Sequence, residues 1–343
     1  MVGVHLTRTE ENAREIEALA AVLGGRVGLA GVLADLDRQA RPSWTGRLLG
    51  RAVDAAYSWD RLDARDPQWW PQGVSGSADA DASERVLGRR LLVVSWYSHP
   101  VAGVSHGSRL TFLDLDTLRY RHVLLVEPGL DEDEVLDVQP LRVHAGGIVW
   151  CGPYVHVAAT ARGFVTVRLD DAMRATGAAA AHGHDYVLPV RFSYRARAEK
   201  DHPRLRYSFL SLDRAGTPTL VAGEYGRGSD TTRLAQFELE AGSALLRAGE
   251  DGSSRPTALD DGGLVQMQGA VVARGRFHVT VSHGPWRPGS VFTGRPGAFR
   301  GHRFAVPMGP EDLTYWPSTD RLWSVSEHPR RRWVFSMPRS RFD

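Results

Sequence analysis

Short apolar strands joined by tight turns recur along most of this chain, and each set is entered through a polar residue and a small-residue step. The fullest case is Val143-His144-Ala145-Gly146-Gly147-Ile148-Val149-Trp150, which turns at Cys151-Gly152-Pro153 into Tyr154-Val155-His156-Val157-Ala158. Residues 267–273 run into 277–283 in the same way, residues 311–316 into 321–329, and residues 71–76, after a longer insertion, into 91–100. Each copy ends in a further strand, at 110–115, 164–169, 303–306 and 333–337. A poorer copy spans 206–212, 219–225 and 233–239. Units of three or four antiparallel strands repeated on this scale are the sequence form of a propeller blade. The pattern therefore predicts an all-β, five-bladed β-propeller, with six blades as the alternative count.

Residues 7 to about 57 follow a helical period instead. Thr7-Arg8-Thr9-Glu10 has the spacing of a capping box, and Ile16, Leu19, Ala20, Val22 and Leu23 then recur at helical intervals up to Gly24-Gly25. Leu29, Val32, Leu33 and Leu36 predict a second helix, stopped by Pro42, and Leu48, Leu49, Val53 and Ala56 a third. The expected division is a helical N-terminal extension over 1–57, packed on a propeller over 58–343. Some 50 residues bury too little surface to stand alone securely.

Composition narrows the classes of function. The 343 residues carry 42 basic and 40 acidic side chains, a formal net charge of +2, so no global field draws the chain to nucleic acid or an anionic membrane. The single cysteine, Cys151, excludes an intramolecular disulfide and a cysteine-based zinc cluster. No apolar run is read as a membrane span and no export signal is recognised, so the expected compartment is the cytoplasm; a secreted chain whose signal had been removed would read the same. The expected partner is a small-molecule ligand, with no nucleic acid and no membrane, and the chain is expected to act as a monomer.

The connecting segments hold several candidates. Tyr57, Trp59, Trp69 and Trp70 precede the first blade, either as a stacking wall at the mouth of an axial pocket or as the plug that seats the helices on the blades. Asp79-Ala80-Asp81 alternates carboxylates but lacks the further ligands of a calcium loop. The acidic run from Glu127 to Asp137 reads as a solvated loop, and residues 241–263 as a mobile inter-blade loop. His182, His184 and Asp185 sit in a Gly-containing loop, as metal ligands or as unengaged surface groups. His99, His283 and His328 fall at comparable places in three blades, as expected of turn-capping residues on a rim. Nucleophile-elbow, Walker and dinucleotide signatures are absent.

Polar residues at the same place in successive repeats meet on a propeller's axis. Those places hold Gln72, His144, Gln268 and Glu311, with Asp312 beside the last. A carboxylate, an imidazole and two amides suit a polar ligand, a hard cation or acid–base work, and equally a wet structural channel.

The segments Pro71-Gln72-Gly73, Leu92-Val93-Val94-Ser95-Trp96-Tyr97, Met267-Gln268-Gly269-Ala270 and Gly309-Pro310-Glu311-Asp312-Leu313-Thr314-Tyr315-Trp316, with the His144 segment, resemble an uncharacterised family of actinobacterial, often secreted proteins. In layout the chain is also remotely similar to gluconolactonase, paraoxonase and strictosidine synthase-like propellers, which work at the central channel. The lactonase branch implies a calcium ion, with Glu311 as its one matching ligand and Gln72, His144 and Gln268 standing where Asn and Asp would be. The strictosidine synthase branch implies a glutamate acting as acid and base without metal, a role that falls to Glu311 with His144 as partner. The resulting expectation is a hydrolase or cyclase-type enzyme. Its catalytic pair is Glu311 and His144, its substrate-binding groups are Gln72, Gln268, Asp312, Trp69 and Trp70, and calcium is its candidate cofactor. The competing expectation is a non-catalytic carbohydrate- or peptide-binding propeller.

Overall fold

Buried valines, leucines and isoleucines alternate with tight turns, and such segments pair most economically as antiparallel hairpins. In the computed structural model, which describes residues 3–101, 103–178 and 181–343, they form five four-stranded blades. Blade one is Trp69–Gly76, Leu91–Ser98, Ser108–Asp114 and Arg119–Leu130. Blade two is Ile148–Cys151, Tyr154–Ala158, Gly163–Arg168 and Tyr186–Ala198. Blade three is Phe209–Asp213, Thr219–Gly223, Leu234–Glu238 and Ala258–Asp260, and blade four Met267–Ala273, Arg276–Val281, Gly289–Arg295 and Ala298–Val306. Blade five takes three strands from the end of the chain, Pro310–Trp316, Arg321–Ser326 and Trp333–Pro338, and its outermost strand, Ala55–Ser58, from near the start. The first strand of each blade touches the first strand of the next, and blade five returns to blade one, so the ring closes. The blade count is five.

The small-residue step is a packing requirement between blades. A Cβ on Gly73 would lie 2.8 Å from the amide nitrogen of Ile148, and one on Gly269 would lie 2.5 Å from Cα of Asp312. Only glycine allows the inner strands to approach this closely. Hydroxyls then stitch the seams: Ser95 donates to the carbonyl of Ala145 at 2.7 Å, and Thr280 to that of Glu311 at 2.7 Å.

The N-terminal extension departs from its expected form in three ways. Thr7 and Arg8 belong to a strand, Val4–Arg8, that pairs with the outer edge of blade two and with Ser253–Ser254, so the predicted capping box does not form and the first helix starts at Ala13. A sheet edge with unpaired backbone groups outcompetes a local cap. The helix Ala13–Leu23 ends at the left-handed Gly24 and buries Ile16 and Leu19 against Leu124, Val126 and Val187. Each of those two side chains contributes roughly 1.5–3 kcal/mol. The second helix is Gly28–Ala34 and the third Trp44–Leu48, whose Ser43 side chain accepts from Gly46. Ala56, read as helical, lies in the strand that completes blade five. A boundary at 57 therefore cuts through a sheet.

Residues 13–34 are long and apolar enough to cross a membrane by length and composition alone, which is compatible with a secreted protein. In the fold the span is two helices broken at Gly24, with Leu19 and Val32 buried. Two predicted loops are also more ordered than expected. Glu127 pairs with Gln139 and Asp137 with Gly129 across the adjacent strands Arg119–Leu130 and Leu136–Pro140, and residues 253–254 and 258–260 within the supposed mobile loop are strands. Charge on one face of an edge strand hides its backbone pairing from a pattern search. Ala179 and Ala180 lie outside the described residues.

Candidate active site

The axis opens into a cavity of about 530 Å³. Its wall includes Gln72, His144, Gln268 and Glu311, so the four polar residues picked out by repeat position do come together. Three of them owe their aim to backbone irregularity. The ladder slips between Pro71 and Val74, between Met267 and Gly269, and between Pro310 and Leu313, and Gln72, Gln268 and Glu311 sit within these slips. A β-bulge breaks the two-residue alternation and redirects a side chain, here toward the axis. His144 comes from the loop before blade two, at the mouth, where the cavity walls enclose a ring that still meets solvent.

A residue that the repeat pattern did not mark completes the set. Glu327 follows the second strand of blade five, and its Oε2 accepts from Nε2 of Gln72 at 2.9 Å. Nε2 of Gln268 donates to Oε1 of Glu311 at 3.2 Å. Two of the three carboxyl groups lining the cavity are thus each held by one glutamine amide, while the third, Asp230, pairs with Arg206 at 3.6 Å. The only hint in the sequence was that Glu327 sits between Ser326 and His328, in the turn read as rim capping.

Burial, then the neighbouring charges of Glu327 and Asp312, hold the Glu311 carboxyl well above its ordinary range. Burial pushes Glu327 up to about 7, against the lowering influence of the Gln72 hydrogen bond and Arg332. His144 is exposed at its outer edge, and its partial enclosure by the cavity walls, then His99, lowers its imidazole. Glu327 is among the charges that raise Glu311, so the proton occupancies of the two carboxyls are linked. Tyr97, its ring 4.4 Å from that of His144, is raised to about 12 by burial and the two glutamates and stays a neutral phenol. Arg206 and Arg227, from loops flanking the strands of blade three, also line the cavity.

The other predicted site residues lie elsewhere. Asp312 points into the blade seam, where its Oδ2 accepts from the backbone of Ile148 at 3.1 Å and of Val74 at 3.3 Å. Trp69 lines a different cavity, and Trp70 packs between His99 and His328, at 5.2 and 5.7 Å between ring centres. Trp59 is buried edge-on against Trp96 and Tyr120 and belongs to the plug rather than to a stacking wall. His283 pairs with Ser290 Oγ at 2.8 Å, on another blade. Asp79 is buried and accepts from Ser75 and Thr314, whereas Asp81 turns outward to Ser83, so those two carboxylates share no ion.

The calcium implied by the lactonase likeness fails a fit test. A calcium ion takes six to eight oxygens. Among the described residues no three His, Cys, Asp or Glu side chains are grouped to hold a metal. Asp312 is turned away, and each glutamate already accepts an amide N–H.

No family model and no curated protein matches the chain. Among solved structures it is similar to a gluconolactonase from Xanthomonas campestris, at 14% identity over 89% of this chain and 86% of that one, with a TM-score of 0.37. It is similar to the GH43_1 enzyme from Xanthomonas citri complexed with xylose, at 11% identity over 80% and 88%, TM-score 0.39. A third is the Cps50 (Swd1) β-propeller domain of Myceliophteria thermophila, at 9% over 71% and 93%, TM-score 0.33. At these TM-scores the likenesses carry no argument, and the fold and blade count rest on this chain's own strand pairing.

Proposed function

We propose that this propeller is a small-molecule hydrolase that cleaves an ester or lactone in its axial cavity by metal-free acid–base chemistry. The observation that carries the reading is the pair of amide-held carboxyls, Glu311 with Gln268 and Glu327 with Gln72, facing one cavity with their proton affinities raised. A cavity of about 530 Å³ is of the size that encloses a metabolite.

In this mechanism protonated Glu311 hydrogen-bonds the substrate's acyl group. Glu327, as carboxylate, takes a proton from water while the water oxygen adds to the carbonyl carbon. Glu311 then delivers its proton to the departing alkoxide as the C–O bond breaks. Neutral His144 at the mouth passes the proton gained by Glu327 to solvent, and proton return to Glu311 resets the pair. An acid that keeps its proton and a base near neutrality suit these two roles. Every group used comes from one chain.

The test is turnover of a panel of esters and lactones. Glu311→Gln should lower turnover by about 10²–10⁴-fold while ligand affinity survives, and His144→Ala should lower it less. Saturable ligand binding with no turnover of any member by the wild type would instead identify a binding propeller.

A further inference from the structure

A second cavity, of about 750 Å³, opens between blade one and the N-terminal extension, away from the axis. Its floor is Arg109, only 5% exposed, whose guanidinium lies between the rings of Trp69 and Trp96 at 4.4 and 4.8 Å. Nη2 of Arg109 donates to Asp63 at 3.3 Å, while its buried Nε has no partner among the described residues. Burial lowers this arginine only to about 10, so it remains a cation under ordinary conditions. A buried cation with unspent donors is costly unless an anion completes it.

The carboxylates on the wall satisfy it only in part: Asp63 takes one N–H at 3.3 Å, and the wall carboxylates are otherwise engaged. Asp63 already accepts from Tyr120, His122 and Arg38 as well as Arg109, and Asp66 accepts from the backbone of Gln68 and Trp69. Asp37 and Asp185 both engage Arg121. At the mouth Arg61 and Arg65, at the two ends of the short helix Arg61–Arg65, have no ion pair among the described residues. His184 sits edge-on to Trp69 with its Nδ1 buried and unpartnered, and burial, then Arg109, lowers it to about 4. Two exposed arginines without ion pairs among the described residues, one buried arginine, a neutral imidazole and an indole therefore line one space.

We propose that this outer cavity is a binding site for a small organic oxyanion, a carboxylate or phosphate ester, whose charged group is taken by Arg61, Arg65 and Arg109. Forked guanidinium donors match the planar or tetrahedral oxygens of such groups. The site shares no lining residue with the axial cavity and does not depend on its chemistry.

The experiment titrates the full chain with inorganic phosphate and, separately, with citrate, in chloride at matched ionic strength, by calorimetry and tryptophan fluorescence. Saturable binding at one site is expected, weakened at least about tenfold in the R61A/R65A double variant, with the melting temperature of the anion-free protein unchanged. Response to phosphate alone, or to citrate alone, assigns the oxyanion class. No saturable binding of either, or binding that survives in R61A/R65A and is lost in Arg227→Ala on the axial rim, overturns the proposal.

Discussion

Nε2 of Gln72, on the first strand of blade one, donates to Oε2 of Glu327, at the end of the second strand of blade five, across 2.9 Å. These residues are 255 positions apart and meet where the ring closes. The bond favours the charged carboxylate and so opposes the burial that raises Glu327.

Gln72→Leu removes that donor. The group near 7 that controls the low-pH side of the rate profile should then move upward by roughly one unit, and Glu327→Gln should abolish that limb. A profile unchanged in both variants would remove Glu327 from the mechanism.

The same carboxyl should make stability depend on pH. Its folded pKa of about 7 exceeds the usual value of 4.5, so the native state binds the proton more tightly than the unfolded chain. The contribution is full below 4.5 and is lost as pH rises through about 7, a change on the order of 2–3 kcal/mol. Denaturant melts at pH 5 and pH 8 should therefore show a smaller difference in Glu327→Gln than in wild type.

Asp312 is raised well above the usual carboxylate range by burial, and its Oδ1 is buried without a partner. Asp312→Ala leaves the Val74 and Ile148 amides without an acceptor and should cost about 2–5 kcal/mol. Asp312→Asn keeps an acceptor oxygen and should cost about 1 kcal/mol or less. Equal losses in the two variants would show that the seam requires the charged form.

Ala56 is 5% exposed and pairs with Phe335 in the strand that completes blade five. Ala56→Asp places an unpaired carboxylate there and should destabilise the fold by on the order of 3 kcal/mol or more. Val22→Ala, at a side chain 69% exposed, should stay within about 0.5 kcal/mol. A tolerated Ala56→Asp would mean that the ring does not depend on its N-terminal strand.

The repeat of polar residue, small residue and apolar strand was enough to read the propeller and four of the residues on its axis, with five or six blades; the ring of strand contacts decided for five. Those features obey local rules: strand alternation, turns, and a glycine wherever two inner strands press together. What tertiary structure alone decided has no local signature. Glu327 reaches the cavity from the far end of a second strand, and Asp312 turns its carboxyl into a seam because a bulge reversed the alternation. Trp69 and Trp70 were drawn off the axis by Arg109 and the flanking histidines. The N-terminal segment looked wholly helical until the free sheet edges of blades two and five, which exist only once the ring has formed, recruited Val4–Arg8 and Ala55–Ser58 as strands. Periodicity reports which face of a segment is buried, whereas pairing across hundreds of residues depends on edges that the rest of the chain must first create.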